Sequence, residues 1–210
     1  MIIKDIFKQL FSSYTSDHYL VEKLWNEIET SYSNNKRYYH TLSHLDYLIQ
    51  QLANFKERVI DWDIILFSVF YHDIVYNVLQ NNNEEQSASL AEKRLNSIGV
   101  SVDKINKCEE QILATKTHED TNDYDTNLFT DADLSILGQA WNMYENYTHQ
   151  LRKEYAVYPD LLYNEGRKKV LMHFLEMNRI FKTDEFYNQF EKQARENLKR
   201  ELKELKMHLN

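Results

Sequence analysis

Apolar residues recur every three or four positions along most of the chain, which is the spacing of amphipathic helices. This spacing predicts a first helix over positions 2–11 and a second over positions 20–32, after the start signal Thr15-Ser16-Asp17. A third helix is predicted over positions 45–55. The polar segment 31–37 separates the second helix from the third, so the chain begins as a series of short helices.

A fourth helix, from Trp62 to about Tyr76, has a different pattern, because the run from Ile64 to Tyr71 is apolar on every face. A helix of this kind lies at the centre of a fold, and Asp61 is placed to cap its start. The run is far shorter than the roughly 20 residues that a membrane helix needs, so we expect no membrane association.

Helical spacing continues in the second half of the chain. A helix from about Glu84 to Ile98 is followed by Gly99, the residue type that most often ends helices, and the next helix covers Val102 to about Thr117. The acidic stretch from His118 to Thr130 predicts irregular structure, and Asp131 is expected to open a further helix.

The last predicted helices cover positions 170–180 and a long amphipathic segment at 184–210.

Only three glycines and one proline occur, so the chain lacks the turn residues of β and α/β domains and any Gly-rich phosphate loop. Because there is no internal repeat or flexible linker, we predict an all-α fold, a single helical domain over 1–210. The amphipathic end segment also allows a homodimer.

The charge balance restricts the partners. The chain carries 25 Lys and Arg against 33 Asp and Glu, a formal net charge of −8, so we expect no binding to extended nucleic acid or to anionic membranes. The single cysteine excludes intramolecular disulfides and Cys-rich zinc modules, and it predicts a reducing, cytoplasmic setting.

The spacing of several histidines and aspartates along the chain suggests a metal site. His40 and His44 are four residues apart, and His72-Asp73 ends the most apolar helix, where an imidazole and a carboxylate are costly unless they are satisfied. Asp131-Ala-Asp133 adds carboxylates. A mixed set of this kind suits Mn, Fe, Zn, Ni or Co. Each piece also has a simpler interpretation, since a His pair can form a polar face and Asp131 can cap a helix.

At these residues the sequence resembles the HD-domain superfamily of metal-dependent phosphohydrolases, whose ordered signature is His … His-Asp … Asp. It is similar to a bacterial group of predicted HD-superfamily phosphohydrolases. The segments that carry the resemblance are Tyr39 to His44, Tyr71 to Asp73, Asn83 to Ala88 and Asp131 to Gly138.

The resemblance implies an all-α fold around a divalent metal ion (Mn, Fe, Ni, Co, Zn or Mg) and hydrolysis of a phosphate ester or anhydride, with a nucleotide as the expected small-molecule substrate. The implied metal ligands are His44, His72, Asp73 and Asp133, and Asp131 remains an alternative to Asp133. His40 matches a position that similar phosphodiesterases use as general acid.

Other residues receive roles as hypotheses. Glu84 or Glu85 is a candidate to position or deprotonate the attacking water, although acids at a helix start also complement the helix dipole. His118 is a candidate for a second metal or a substrate phosphate. The candidate phosphate contacts are Arg37, Lys116, Arg152 and Arg167. Nucleobase stacking or core packing would explain the tyrosines at 144, 147, 155, 158 and 163.

Two other functions stay open at this point. One is a non-catalytic helical module that binds a structural metal or a protein partner. The other is a di-iron oxygenase of the HD type, which would need additional ligands such as His118.

Overall fold

The computed structural model describes residues 3–207, and the side chains of residues 3–205. Over this range the fold is all-α, as predicted, and no strand occurs among the described residues. A 3-10 turn, Ser135–Gly138, follows the seventh helix. The helices are α1 Ile3–Ser12, α2 His18–Tyr32, α3 Leu42–Ala53, α4 Trp62–Tyr71, α5 Asn83–Ser97, α6 Val102–Ala114, α7 Tyr124–Leu134, α8 Trp141–Glu154, α9 Asp160–Glu176 and α10 Asp184–Met207.

Several helix boundaries follow from local chemistry that the sequence shows. Asp17 accepts a hydrogen bond from the Leu20 amide and caps α2, and Asp61 accepts from the amides of Asp63 and Ile64 and caps α4. Gly99, just past α5, has φ of +80°, which favours glycine. These three predictions are confirmed.

Predicted boundaries are wrong at three helices, and the helix predicted over positions 170–180 runs instead from Asp160 to Glu176. Helix α4 ends at Tyr71 instead of continuing to Tyr76, because the amides of Asp73 and Val75 donate to the hydroxyls of Tyr32 (3.2 Å) and Ser87 (3.1 Å) and not to backbone carbonyls. The turn that follows α4 is therefore set by side chains from α2 and α5.

Helix α7 begins at Tyr124, inside the stretch predicted to be irregular, so Asp131 lies within a helix and does not open one. Asp123 caps α7 by accepting from the amide (2.8 Å) and the hydroxyl (2.5 Å) of Thr126. The last helix runs over 184–207, and the predicted positions 208–210 lie outside the described residues.

The residues group into two compact units, the first ending at Thr130 and the second beginning at Asp131. In the first unit α4 is the central helix, buried from Ile64 to Tyr71 and in contact with α1, α3, α5 and α6. Phe7 stacks on Phe11 at 3.9 Å between ring centroids and meets Phe70 edge to face at 5.0 Å. The prediction of a central apolar helix is confirmed.

The second unit is built from α8, α9, α10 and the 3-10 turn. Asn197 on α10 donates to the carbonyls of Leu137 and Gln139, both at 2.8 Å, which joins α10 to the turn. That the whole chain is one domain stays a prediction. Within residues 3–207, none of the helices combines the length and the apolar character needed to cross a bilayer.

Candidate metal centre

His72 lies directly after α4 and is 1% exposed. Its Nδ1 is 2.9 Å from the carbonyl oxygen of Val69. Because a carbonyl can only accept, Nδ1 carries a proton, and Nε2 is the ring nitrogen that a metal ion could use. A histidine that binds a metal is held in this way, with one ring nitrogen donating to a carbonyl and the other on the ion.

His44, in the first turn of α3, completes a pair of imidazoles. It is 3% exposed, and its Nε2 lies 3.2 Å from Nε2 of His72. Two nitrogens at this separation, each about 2.1 Å from one ion, would subtend an angle of about 100°, between the octahedral and the tetrahedral values. The spacing therefore fits two ligands of one transition metal ion.

Asp73 and His40 lie beside this pair. Oδ2 of Asp73 is 3.2 Å from Nε2 of His72 and 3.8 Å from Nε2 of His40. His40 precedes α3, so it does not share a helix with His44, but their ring centroids are only 5.6 Å apart. The ring of His40 packs on Tyr76 at 4.4 Å. The turn before α3 thus brings His40 beside His44 without a shared helix.

Asp133 reaches the pair through α7. The Phe129 ring meets the His72 ring edge to face at 5.8 Å, and Asp133 follows one turn later on the same continuous helix. One carboxylate oxygen of Asp133 and one ring nitrogen each of His44 and His72 lie within 4.8 Å of one another. These three residues, half-buried or buried, can hold a metal ion.

Asp131 has a different position. It is fully buried and accepts from the amides of Lys182 (2.9 Å) and Thr183 (2.7 Å) and from the Thr183 hydroxyl (2.7 Å). Burial raises the pKa of Asp131, and the charge of Lys182, 3.4 Å away, opposes that rise. Its oxygens thus hold the start of α10, and Asp133 is the member of the pair that joins the histidines.

The predicted phosphate contacts of the first unit are held by internal partners. Arg37 is buried against backbone carbonyls. Lys116 donates to the Asn81 carbonyl (2.9 Å) and pairs with Glu85 in the first turn of α5, and the hydrogen bond from Lys116 lowers the pKa of Glu85. Glu84 stands beside it, half-buried, in the same turn.

His118 follows α6 with φ of +53°, which is uncommon for a residue other than glycine, and it is half-buried. Its contact with a phosphate or second metal stays a prediction, as do the roles of Glu84, Glu85 and Lys116.

The candidates of the second unit are bound by acidic residues of that unit. Arg152 binds Asp160 (2.6 Å), and buried Arg167 binds Glu201 (2.7 Å). Glu201 also accepts from the hydroxyl of Tyr144. These contacts explain Arg167 and Tyr144 as parts of the unit's interior, and phosphate binding or base stacking here stays a prediction.

Tyr32 is a residue of the site that the sequence pattern did not indicate. Its spacing marks it only as part of the apolar stripe of α2, yet its hydroxyl accepts from the Asp73 amide.

Comparison with protein-family models, with curated proteins and with solved structures gives no match for this chain.

Proposed function

We propose that the chain is a metal-dependent phosphohydrolase that acts on a phosphate ester or anhydride. The observation that supports the proposal most is the 3.2 Å separation of the His44 and His72 Nε2 atoms, with the Asp73 and Asp133 carboxylates beside them. Two neutral imidazoles with two carboxylates balance the charge of a divalent ion and suit Mn, Fe, Ni, Co or Zn. The order of these four residues is the one that motivated the HD-domain resemblance.

A bound divalent ion would supply Lewis acidity, which lowers the pKa of a water molecule and polarises a phosphoryl oxygen. The chain supplies the orientation. His72 is fixed by its bond to the Val69 carbonyl, and Asp73 holds its carboxylate between the rings of His72 and His40. Ligands fixed in this way would hold the ion in one place without reorganisation during the reaction.

His40 is the proposed general acid. Its side chain is 16% exposed, compared with 1% for His72. His40 can therefore contact a substrate while it also contacts Asp73. A protonated imidazole in this position would donate to the leaving oxygen as the bond to phosphorus breaks. The proposed substrates are small phosphate compounds, with nucleotides first among them.

The test combines metal content with turnover. Protein purified without added metal is analysed by mass spectrometry, reconstituted with Mn²⁺, Fe²⁺, Ni²⁺ or Zn²⁺, and assayed on nucleoside mono-, di- and triphosphates. We expect about one or two ions per chain and hydrolysis that Asp73→Asn reduces by about 100-fold or more with unchanged helical circular dichroism. Asp103→Asn, an exposed carboxylate in the first turn of α6, is the matched control and should keep full activity.

The outcomes separate the functions. Bound metal without turnover of any phosphate would overturn the hydrolase and leave a structural metal centre. Iron with oxygen consumption would indicate an oxygenase. Wild-type protein that binds no metal after reconstitution would overturn the centre itself.

A further inference from the structure

Arg37 connects the two segments that carry His40 and Asp73. It lies between α2 and α3 and is 9% exposed. Its Nη1 donates to the carbonyl oxygens of His40 (3.2 Å) and Asp73 (2.7 Å), and its Nη2 donates to the carbonyl oxygen of Ile74 (2.9 Å). One guanidinium thus spans a gap of 36 residues in sequence.

Two tyrosine rings hold this guanidinium. Its central carbon lies 4.7 Å from the ring centroid of Tyr32 and 5.3 Å from that of Tyr76, distances at which a cation and an aromatic face attract. The Tyr32 hydroxyl accepts from the Asp73 amide at 3.2 Å. Asp73 is therefore held at both backbone polar groups, the carbonyl by Arg37 and the amide by Tyr32.

The same assembly supports His40. Tyr76, which packs on the guanidinium, also packs on the His40 ring at 4.4 Å, and the His40 carbonyl accepts from Arg37. Displacing Arg37 would release the backbone of His40 and of Asp73 together.

We infer that Arg37 is a positioning residue for the metal centre and not a contact to the substrate phosphate. The inference rests on the proposed function in that it requires the centre to bind a metal. A planar guanidinium with a fixed set of donors can bridge several carbonyls at once, whereas a lysine ammonium is a single point of charge. Because the bridge sets the backbone of Asp73, it controls where the carboxylate stands relative to His72.

The test measures Mn²⁺ affinity, so that it does not depend on turnover. Mn²⁺ is titrated calorimetrically into metal-free wild type, Arg37→Gln, Arg37→Lys and Tyr32→Phe, at a temperature where circular dichroism shows each variant to be folded. Loss of an outer partner of a metal ligand costs about 10- to 100-fold in affinity, and we expect this loss for Arg37→Gln with no rescue by Arg37→Lys. Tyr32→Phe keeps the ring but removes the acceptor, so its loss should be smaller.

Arg94→Gln is the matched control, because Arg94 makes a comparable bidentate contact, to Glu27, on the same unit. It should bind Mn²⁺ like the wild type.

If Arg37→Gln lowers the unfolding temperature but binds Mn²⁺ with wild-type affinity, Arg37 only stabilises the fold and the inference is wrong. Unchanged Mn²⁺ affinity with a raised KM for phosphate substrates would instead make it a substrate contact. Failure of the wild type to bind Mn²⁺ would overturn the metal centre together with this inference, while Mn²⁺ binding without turnover would remove only the hydrolase.

Discussion

Asp131 and Asp133 stand two residues apart on α7, and replacing each in turn with alanine should affect different properties of the protein. Asp131→Ala removes three hydrogen bonds at the start of α10 and the carboxylate that faces Lys182, whose side chain is 3% exposed. Asp133→Ala removes one oxygen ligand from the group with His44 and His72. The first variant should lose stability and the second should lose metal.

The size of the first effect follows from the contacts of Asp131. Loss of a helix-capping acceptor costs about 1 kcal/mol, and removing one partner of a buried ion pair costs about 3–5 kcal/mol. The two terms overlap, and the pKa of Asp131 is raised by burial, which offsets part of the attraction to Lys182. We therefore expect about 3 kcal/mol, or a drop in unfolding temperature of about 6–12 °C for a chain of this size.

The assay is thermal unfolding in chelator and again in Mn²⁺ at about 100 times the dissociation constant. Binding to the native state alone adds about 2.7 kcal/mol under that condition. Wild type and Asp131→Ala should both gain this increment, from different starting temperatures. Asp133→Ala should unfold near the wild-type temperature in chelator and gain nothing from Mn²⁺.

The reversed pattern would refute the reasoning. If Asp131→Ala unfolds at the wild-type temperature in chelator and gains no stability from Mn²⁺, Asp131 is the ligand and the contacts at α10 carry little energy. An Asp133→Ala protein that still gains the full increment would remove Asp133 from the metal centre.

Two further predictions concern stability. A Cβ on Gly138 would lie 2.5 Å from Cβ and 2.7 Å from the carbonyl oxygen of Phe190, so Gly138→Ala should cost about 1–3 kcal/mol in urea unfolding. Gly166 lies at an exposed position of α9 with open space around it, so Gly166→Ala should stabilise the protein by about 0.5–1 kcal/mol. Equal effects of the two substitutions would contradict the close approach at Gly138. Burial raises the pKa of Asp123, but the hydrogen bonds from Thr126 together with the hydrogen bond and charge of Lys107 outweigh it and lower the pKa overall. The stabilisation by Asp123 is therefore present above the unfolded-state pKa and is lost as pH falls through the folded-state value. Asp123→Ala should therefore cost about 1 kcal/mol at neutral pH, with a difference from wild type that closes below about pH 4; a difference independent of pH would show that the carboxylate charge has no part in the cap.

Much of the helical organisation could be predicted because it depends on neighbours in sequence. The capping contacts of Asp17 and Asp61 span two or three residues, and the end of α5 at Gly99 needs only a positive φ. The apolar run of α4 likewise predicted its central position. The prediction failed where side chains from distant helices bind the backbone, as Tyr32 and Ser87 do after α4.

The candidate site likewise has one part that the sequence predicts and another that depends on the tertiary structure. The sequence by itself determined which residue types were available, since imidazoles and carboxylates near an apolar helix need partners and a metal ion can satisfy them. It left Asp131 as an alternative to Asp133, and it made Arg37 a candidate phosphate contact. Only the tertiary structure turned one aspartate to α10 and the other to the histidines, and only it enclosed Arg37 among the carbonyls of His40 and Asp73. The physical reason is that a helix period sets which face a residue shares, whereas the partner of a buried charge is set by segments that are distant in sequence and meet only on folding.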